Sequence, residues 1–319
     1  MAIPTIDSFV FQIAAEGEGI NPAVWVDISS YVARYRWRRG RDAIINQIQT
    51  GTGTITVKNE TGDWAWNKPS SPLYAVVALG KAMRVVINYQ AVSYYRFWGY
   101  IQSIRPNPAD CWNLTDIELA DVHSWLSIDE QTITYSVGVT EAGAGIGEVL
   151  DVVPWPAPLR SLDTGLTTFP TPGASLGEQA LQTQASFFAT NEGGLFYMRA
   201  DGVAIFENRN HRLAGDHLVS QFTFTGDNLI NLVPERALRD ISTRVIVAYN
   251  GGSYTASVVS SYGPRRLSIS ATLLTLAQAT DLANWWLRQT QDAHDRPILT
   301  LAPSFDADVM AAYLNLEVS

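Results

Sequence analysis

Apolar and polar residues alternate in short runs along the first third of this chain, and strand-breaking residues separate the runs. Phe9 to Ala14 and Val24-Trp25-Val26 come first. Val32-Ala33-Arg34-Tyr35-Arg36-Trp37-Arg38, Thr54-Ile55-Thr56-Val57, Met83 to Tyr89, Phe97 to Ile101 and Trp112 to Leu119 follow. Period-two alternation sends successive side chains to opposite faces of a strand, and β-branched and aromatic residues suit a pleated surface. Asn59-Glu60-Thr61-Gly62 reads as a turn, because glycine takes positive φ freely and asparagine bonds to its own backbone. Pro69 and Pro72 bracket a polar loop that cannot join a ladder. The alternation puts Arg34, Arg36 and Arg38 on one face, either a solvated strand face or a contact surface for an acidic neighbour. Asp121 to Leu126 reads as a short helical turn that leaves this first module, residues 1–127.

The texture changes over residues 128–212. Glu148 to Val153 predicts a short helix that stops before Pro154, since proline disfavours helical geometry in the residue before it. The glycine-rich stretch before it, Gly143 to Gly147, reads as a domain connector. Pro154, Pro156 and Pro158 make a stiff link, and Pro170 to Gly173 a further break. Ser175-Leu176-Gly177-Glu178 has the form of a capping box, and the apolar spacing from Leu176 to Phe188 predicts a helix ending near Ala189. Leu195 to Ala200, Asp201-Gly202 and Val203 to Phe206 form a hairpin signal.

Residues 213–319 return to strands. Arg244 to Tyr249, Asn250-Gly251-Gly252 and Ser253 to Ser260 read as a second hairpin, with a turn at Tyr262-Gly263-Pro264. Thr275 to Gln278 is another capping box. Leu276, Ala279, Leu282, Ala283, Trp286 and Leu287 then form a helical stripe. Ile298 to Leu301 reads as a strand, and Tyr313 to Val318 as one with no partner after it. The architecture expected is α+β: two β-barrel-like modules, at 1–127 and 213–319, around a smaller helix-and-hairpin domain at 128–212.

Composition narrows the function. The 319 residues are 46% hydrophobic and 17% charged, enough apolar material for sizeable cores. A net charge of −9 argues against binding free nucleic acid, where affinity comes mainly from Lys and Arg on phosphates. An acidic surface suits a conduit that DNA crosses without sticking. The single cysteine, Cys111, allows no intrachain disulfide and reads as a small buried hydrophobe. No apolar run reaches the ~20 residues that span a bilayer. The N-terminus has no positive n-region and carries Asp7, so it is not a signal peptide, and the chain reads as one folded in a cytoplasm. Ten Trp, thirteen Tyr and eleven Phe suit strands, cores, interfaces or sugar-stacking platforms.

Recognisable chemistry is sparse. His123, His211, His217 and His294 are scattered, with no HExxH, HxH or CxxC, so no zinc ligands stand at usable spacing. His211 and His217 read as parts of a polar loop. Gly143-Ala144-Gly145-Ile146-Gly147 places its third glycine one residue early for a dinucleotide-binding loop, and no GxxxxGK[ST] or GxSxG occurs. Carboxylate pairs for glycoside hydrolysis could come from Asp129-Glu130, Asp306 with Asp308, or Glu60 with Asp63, all in expected turns or loops. No catalytic, cofactor-binding or metal residue is assigned, and no cofactor is expected.

Four pieces in order carry a resemblance: Asn59 to Gly62, Ser71-Pro72-Leu73-Tyr74, Gly80-Lys81-Ala82-Met83-Arg84-Val85 and Phe97-Trp98-Gly99-Tyr100-Ile101. Together they resemble the N-terminal module of the tail hub, or minor tail, proteins of long-tailed bacteriophages. Further along, Gly147, Trp155-Pro156, Arg160 to Gly165, Glu192 to Tyr197, Asp201-Gly202, Phe206 to Arg209, Tyr262 to Arg265, Thr275 to Gln291 and Arg296-Pro297 continue the match over almost the whole chain. It departs at the C-terminus, where relatives continue with further strands. The resemblance implies a structural, non-enzymatic hub at the tail tip of a virion, assembled in the host cytoplasm. It implies a homotrimer whose paired β-modules make a pseudo-sixfold ring around the DNA exit channel. The implied partners are the distal tail protein, the tape-measure protein and tip or fibre proteins, with no sequence-specific nucleic-acid binding and no membrane span. The alternatives are a carbohydrate-binding tail module using exposed rings such as Trp64 or Trp66, and a tip-borne wall hydrolase.

Overall fold

A computed structural model describes residues 6–15, 21–40, 47–107, 113–121, 123–128, 130–135, 141–168, 177–213, 218–220, 223, 229–236, 238–271, 275–292 and 296–301. Seven strands form one sheet: β1 (Ser8–Ala14), β2 (Trp25–Asp27), β3 (Val32–Gly40), β4 (Gln49–Lys58), β5 (Ala82–Tyr89), β6 (Val92–Asn107) and β7 (Leu114–Ala120). Their order is β2-β1-β5-β6-β7-β4-β3, every pair antiparallel, so β2 and β3 are the two edges among the described residues. The sheet rolls without closing. Tyr35 on edge strand β3 packs on Phe9 and Phe11 of β1, with ring centroids 5.8 and 5.0 Å apart. No ladder hydrogen bonds join those strands among the described residues, so the expected barrel is a curled open sheet. Register shifts in β5–β6, β6–β7 and β3–β4 supply the local bends that such curling needs.

Inside the curl lies an apolar core that includes Phe11, Ile13, Ile55, Val85, Phe97 and Ile117. The loop from Asn59 to Gly80 folds over its mouth and contributes Trp64, Leu73, Val76 and Val77. Its turn forms as the residues dictate: Gly62 has φ +72°, and Asn59 Oδ1 accepts the Trp64 N–H at 3.0 Å. Ser71 Oγ donates to the Asp63 carbonyl at 2.6 Å and accepts from Leu73 N at 3.0 Å, which fixes the Ser-Pro-Leu segment.

The β5–β6 hairpin has no sequence signature. Its two-residue loop is Gln90-Ala91, both at positive φ (50° and 60°), where Asn-Gly is the favoured pair. A Cβ at these angles is strained. Replacing Ala91 with glycine is expected to stabilise the protein by about 1 kcal/mol, read as a higher urea midpoint at unchanged slope.

A second core ties the rest of the chain to this sheet. It contains Ala82, Trp98 and Tyr100 from the first sheet, helices α1 (His123–Ile128), α2 (Ala142–Val152) and α3 (Leu181–Glu192), and Val245, Val247, Leu282 and Trp286 from further on. Two short strands, β8 (Glu130–Gln131) and β10 (Gln179–Ala180), pair with each other. The predicted hairpin is β11 (Leu195–Met198) and β12 (Ala204–Glu207), joined in parallel by β9 (Arg160–Leu162).

Two helices depart from the sequence reading. Helix α2 begins at Ala142, so Gly143, Gly145 and Gly147 are helical and not a connector. The reason is packing: a Cβ on Gly143 would lie 2.0 Å from the Asp163 carbonyl oxygen, and one on Gly145 2.5 Å from the Phe188 ring. Glycine costs helix stability, yet here it lets two elements touch. Helix α3 begins at Leu181, with Ala180 at its N-cap and no side-chain cap. Gly177 has φ +80°, which a helix starting at Leu176 cannot contain. Ser175 and Leu176 lie outside the described residues. The helix runs on to Glu192, where Gly193 in left-handed geometry (φ +71°) and Gly194 bond back to Thr190 and Ala189.

The C-terminal third carries β13 (Leu229–Glu235) paired with β17 (Arg296–Leu301), and a sheet ordered β15-β14-β16. Here β14 is Arg244–Tyr249, β15 Gly252–Ser257 and β16 Arg266–Ser270, with β16 parallel to β14. Helix α4 (Leu276–Thr290) packs on this sheet. Its predicted capping box forms: Thr275 Oγ1 accepts from Gln278 N, and the Gln278 side chain accepts from Thr275 N. The architecture is α+β, with no sheet closed into a barrel among the described residues. The predicted Tyr313–Val318 strand lies outside those residues.

Candidate functional site

The outer face of the rolled sheet is polar and charge-matched. Arg34, Arg36 and Arg38 are exposed on β3 and pair in register with Thr56, Thr54 and Thr52. Behind them, Arg34 meets Asp116 at 3.7 Å, and Arg105 meets Glu118 at 3.0 Å. Such exposed pairs stabilise little, about 0–1 kcal/mol each, so the stripe shapes a surface more than it holds the fold. Tyr35 on the same strand is 40% exposed and stacks on Trp37 at 5.1 Å. Among the described residues strand β3 has a ladder partner on one side only, and it presents a row of arginines and an aromatic pair together. Unpaired edges are templates for pairing with another chain.

At the junction of this sheet with the second core sits a buried acid. Asp121 is 5% exposed; its Oδ2 accepts from Gly51 N at 2.7 Å and its Oδ1 from His123 N at 3.0 Å. Burial pushes its carboxyl above the ordinary aspartate range, against the pull of His123 and these N–H groups. His123 is buried too, stacked on Phe196 with centroids 5.3 Å apart, with Nδ1 3.3 Å from Gln182 Nε2. Burial lowers its pKa, which favours the neutral ring. The pair is a joint between layers.

A second polar centre holds the α3–β11–β12 unit. Glu192, fully buried, accepts from Leu166 N at 2.9 Å and Thr167 N at 2.7 Å. Burial raises its pKa, partly offset by the Thr167 bonds and by Arg209. Glu207 accepts from the Tyr197 hydroxyl at 2.7 Å and from Arg212 Nε at 2.8 Å. Despite its burial, Arg212 and Tyr197 hold its carboxyl below the ordinary glutamate range. Asp163 Oδ2 accepts from Asn208 N at 3.0 Å and lies 2.7 Å from His211 Nδ1. Arg160 bonds the Trp155 carbonyl at 2.9 Å and Asp151 at 2.7 Å, and Trp155 Nε1 donates to Leu159 O at 3.0 Å. The Trp-Pro, Arg-x-Leu-Asp-x-Gly and Glu-Gly-Gly segments are thus fasteners. Sequence reading quoted these residues without a role, since bonds across up to 48 residues of separation leave no local pattern.

Arg84 makes a third joint. Its guanidinium lies 4.1 Å from the Trp25 ring centroid and 5.9 Å from that of Trp98, while Nε donates to Gln12 at 2.7 Å. Burial lowers its pKa. Gly202 of the β11–β12 turn abuts Trp98, so the hairpin docks on this stack.

The sequence candidates for catalysis do not converge. His211 pairs with Asp163, His123 is buried elsewhere, and His217 and His294 lie outside the described residues, as does Cys111. The Asp63 carboxyl accepts from the Thr61 hydroxyl, and Lys68 lies 3.3 Å away. The Thr61 bond, then Lys68, hold that carboxyl below the ordinary range against desolvation, unlike the desolvated acid that glycoside hydrolysis needs. Glu130 is exposed on β8; Asp129, Asp306 and Asp308 lie outside the described residues. No group of three or more His, Cys, Asp or Glu side chains could hold a metal among the described residues. No helix among them is long and apolar enough to cross a membrane. Of the two suggested sugar platforms, Trp64 is fully buried in a T-shaped contact with Tyr31, and Trp66 is 56% exposed.

No protein-family model and no curated protein matches the chain in sequence. Solved structures do match its fold, and tail proteins are among them. A tail protein from Neisseria meningitidis MC58 aligns over 88% of this chain and 78% of its own, at 12% identity and TM-score 0.55. The prophage tail protein gp18 from Listeria monocytogenes EGD-e aligns over 96% and 98%, at 10% identity and TM-score 0.51. The 43 kDa tail protein of prophage MuSo2 from Shewanella oneidensis aligns over 88% and 78%, at 14% identity and TM-score 0.50. The chain thus has the fold of phage tail proteins, the class to which its motifs point.

Proposed function

We propose that the chain is a structural protein of a phage tail tip, a baseplate-hub-like subunit whose work is assembly and not bond-making. The observation that carries this reading is that the ordered motifs fall on a fold shared along 96% of the chain with a prophage tail protein. The modules at 1–127 and 213–319 would be the two barrel-like ring elements, with 128–212 between them. Three subunits would then place six such elements around a channel, joining a sixfold tube to a threefold tip. An acidic lumen would let DNA pass without adhering, consistent with the net charge of −9. Distal tail and tape-measure proteins would sit above the ring, and tip or fibre proteins below.

The exposed Tyr35 of β3 supports the same reading, because permanent assemblies bury more than about 2,000 Å² with aromatic centres. Light scattering on the purified protein at micromolar concentration is expected to give the mass of a trimer or a multiple of it. A strict monomer across that range contradicts the proposal.

A further inference from the structure

One stretch of the C-terminal third reverses the charge of the chain. Residues 241–280 hold three arginines, Arg244, Arg265 and Arg266, and no lysine, aspartate or glutamate. Removing their +3 from the whole-chain −9 leaves −12 on the rest. The parallel register of β14 and β16 sets Arg244 beside Arg266, both exposed, and Ser257 at the end of β15 stands on the other side of Arg244. No ion pair reaches any of the three arginines among the described residues. The segment that joins β15 to β16 leaves the sheet at this same end. At its tip Val259 is fully exposed, and Val258 and Tyr262 are each 40% exposed. Buried Thr243 holds the root of the tip. Its carbonyl accepts from Val258 N at 3.0 Å, and its hydroxyl donates to Gly263 O and accepts from Arg265 N, both at 2.9 Å.

Two features of this patch call for a partner. Like charges side by side on neighbouring strands destabilise a sheet, and a counter-charge relieves them. Apolar side chains gathered at one tip and rimmed by charge are the pattern of an interface. A tip rooted at both ends also loses little freedom on binding, so more of its contact energy appears as affinity. Charge decides which partner fits. Nucleic acid and anionic bilayers attract arginines, but both are extended anionic surfaces that repel the −12 on the rest of the chain. A protein can present acids to the patch alone, and charges further off than about 10 Å are screened at 0.1 M salt. The acidic protein surface that this sequence itself supplies is that of a second copy. Patch cannot face patch across a twofold axis, where arginines would meet arginines. It meets a different surface, as head-to-tail contacts do.

We infer that the Val258–Tyr262 tip and the Arg244–Arg266 pair form one docking surface, and that its partner is an acidic face of a second copy of this chain. The tip supplies the apolar centre and the arginines the charged rim. The inference rests on the ring reading for the presence of a second copy; the patch itself is read from charge and exposure.

Self-association of the full chain is followed by light scattering across micromolar concentrations, at about 0.05 M and about 0.5 M salt. Arg244→Glu combined with Arg266→Glu is expected to raise the dissociation constant at least about tenfold at the lower salt, with a smaller difference at the higher. Lys58→Glu combined with Arg288→Glu is the control. Both residues are exposed outside the patch, the net charge drops by the same amount, and the constant is expected to change less than about threefold. Val259→Ser keeps the charge and is expected to weaken association about tenfold through the lost apolar contact. If the wild type associates and the patch variants associate as it does, or the control pair weakens it as much as the arginine pair, the patch is overturned and the ring reading stands. If the patch variants alone weaken an assembly whose mass is no multiple of a trimer, the patch stands and the ring reading falls. A strictly monomeric wild type overturns both. Should that monomer sediment with anionic phosphatidylglycerol vesicles, and the arginine-pair variant not, the partner is a lipid surface and not a second copy.

Discussion

Gly143→Ala is expected to destabilise the protein by about 3 kcal/mol or more, the upper end of overpacking costs. Helix propensity alone predicts the opposite sign, a gain of about 1 kcal/mol, because Gly143 lies inside α2. Packing wins because the added methyl would lie 2.0 Å from the Asp163 carbonyl oxygen. That oxygen cannot easily retreat: Asp163 N donates to Phe206 O at 2.9 Å, and its carboxylate accepts from Asn208 N. Gly147 in the same helix is the internal control. A methyl there finds its nearest neighbour at 3.7 Å, an ordinary contact, so Gly147→Ala is expected to be neutral or to stabilise by up to about 1 kcal/mol. Urea midpoints of the two variants should move in opposite directions, or only that of Gly143→Ala should fall. Equal gains from both would show that α2 and the Asp163 segment do not touch as described.

Glu192→Ala is the second large effect, expected at about 3–5 kcal/mol. It orphans the buried N–H groups of Leu166 and Thr167 and leaves the Arg209 guanidinium without its nearest counter-charge. Glu192→Gln keeps an acceptor for the two N–H groups and is expected to cost less than half as much. The two variants also separate in pH. Burial raises the Glu192 pKa, so the folded chain holds this proton at pH values where the unfolded chain has released it. More protons on the folded state mean that stability falls as pH rises through that window. The Gln variant should therefore lose that part of the slope above the ordinary glutamate range. A Gln variant as unstable as the Ala variant would show that the backbone bonds are not what Glu192 supplies.

Much of the fold was legible because local signals and global packing agreed. The β3 and β7 strands follow period-two patterning, β4 follows its β-branched run, the β11–β12 and β14–β15 hairpins follow their glycine turns, and α4 starts at a true capping box. The misreadings have one cause: contacts distant in sequence that override local propensity. Glycines in α2 look like a linker until Asp163 and Phe188 are seen against them. The Ser175–Glu178 pattern has the right letters for a cap, but Gly177 turns left-handed and α3 begins at Leu181. Gln90-Ala91 makes a hairpin turn with no turn residue, because the β5–β6 ladder on either side holds it there. Trp64, read as an exposed platform in a polar loop, is the plug of the first core.

The buried polar joints were not legible at all as sites. Asp121, Glu192 and Glu207 are ordinary acids in sequence, and only their partners across the fold give them a role. The arginine face of β3 was legible, since alternation fixes it whatever surrounds the strand.

The central claim, a ring-forming tail-tip subunit, is tested most directly by electron microscopy of the purified assembly. The account predicts closed rings with threefold symmetry, six density lobes around the rim and an open central channel. Open filaments, or compact particles without a channel, would contradict it.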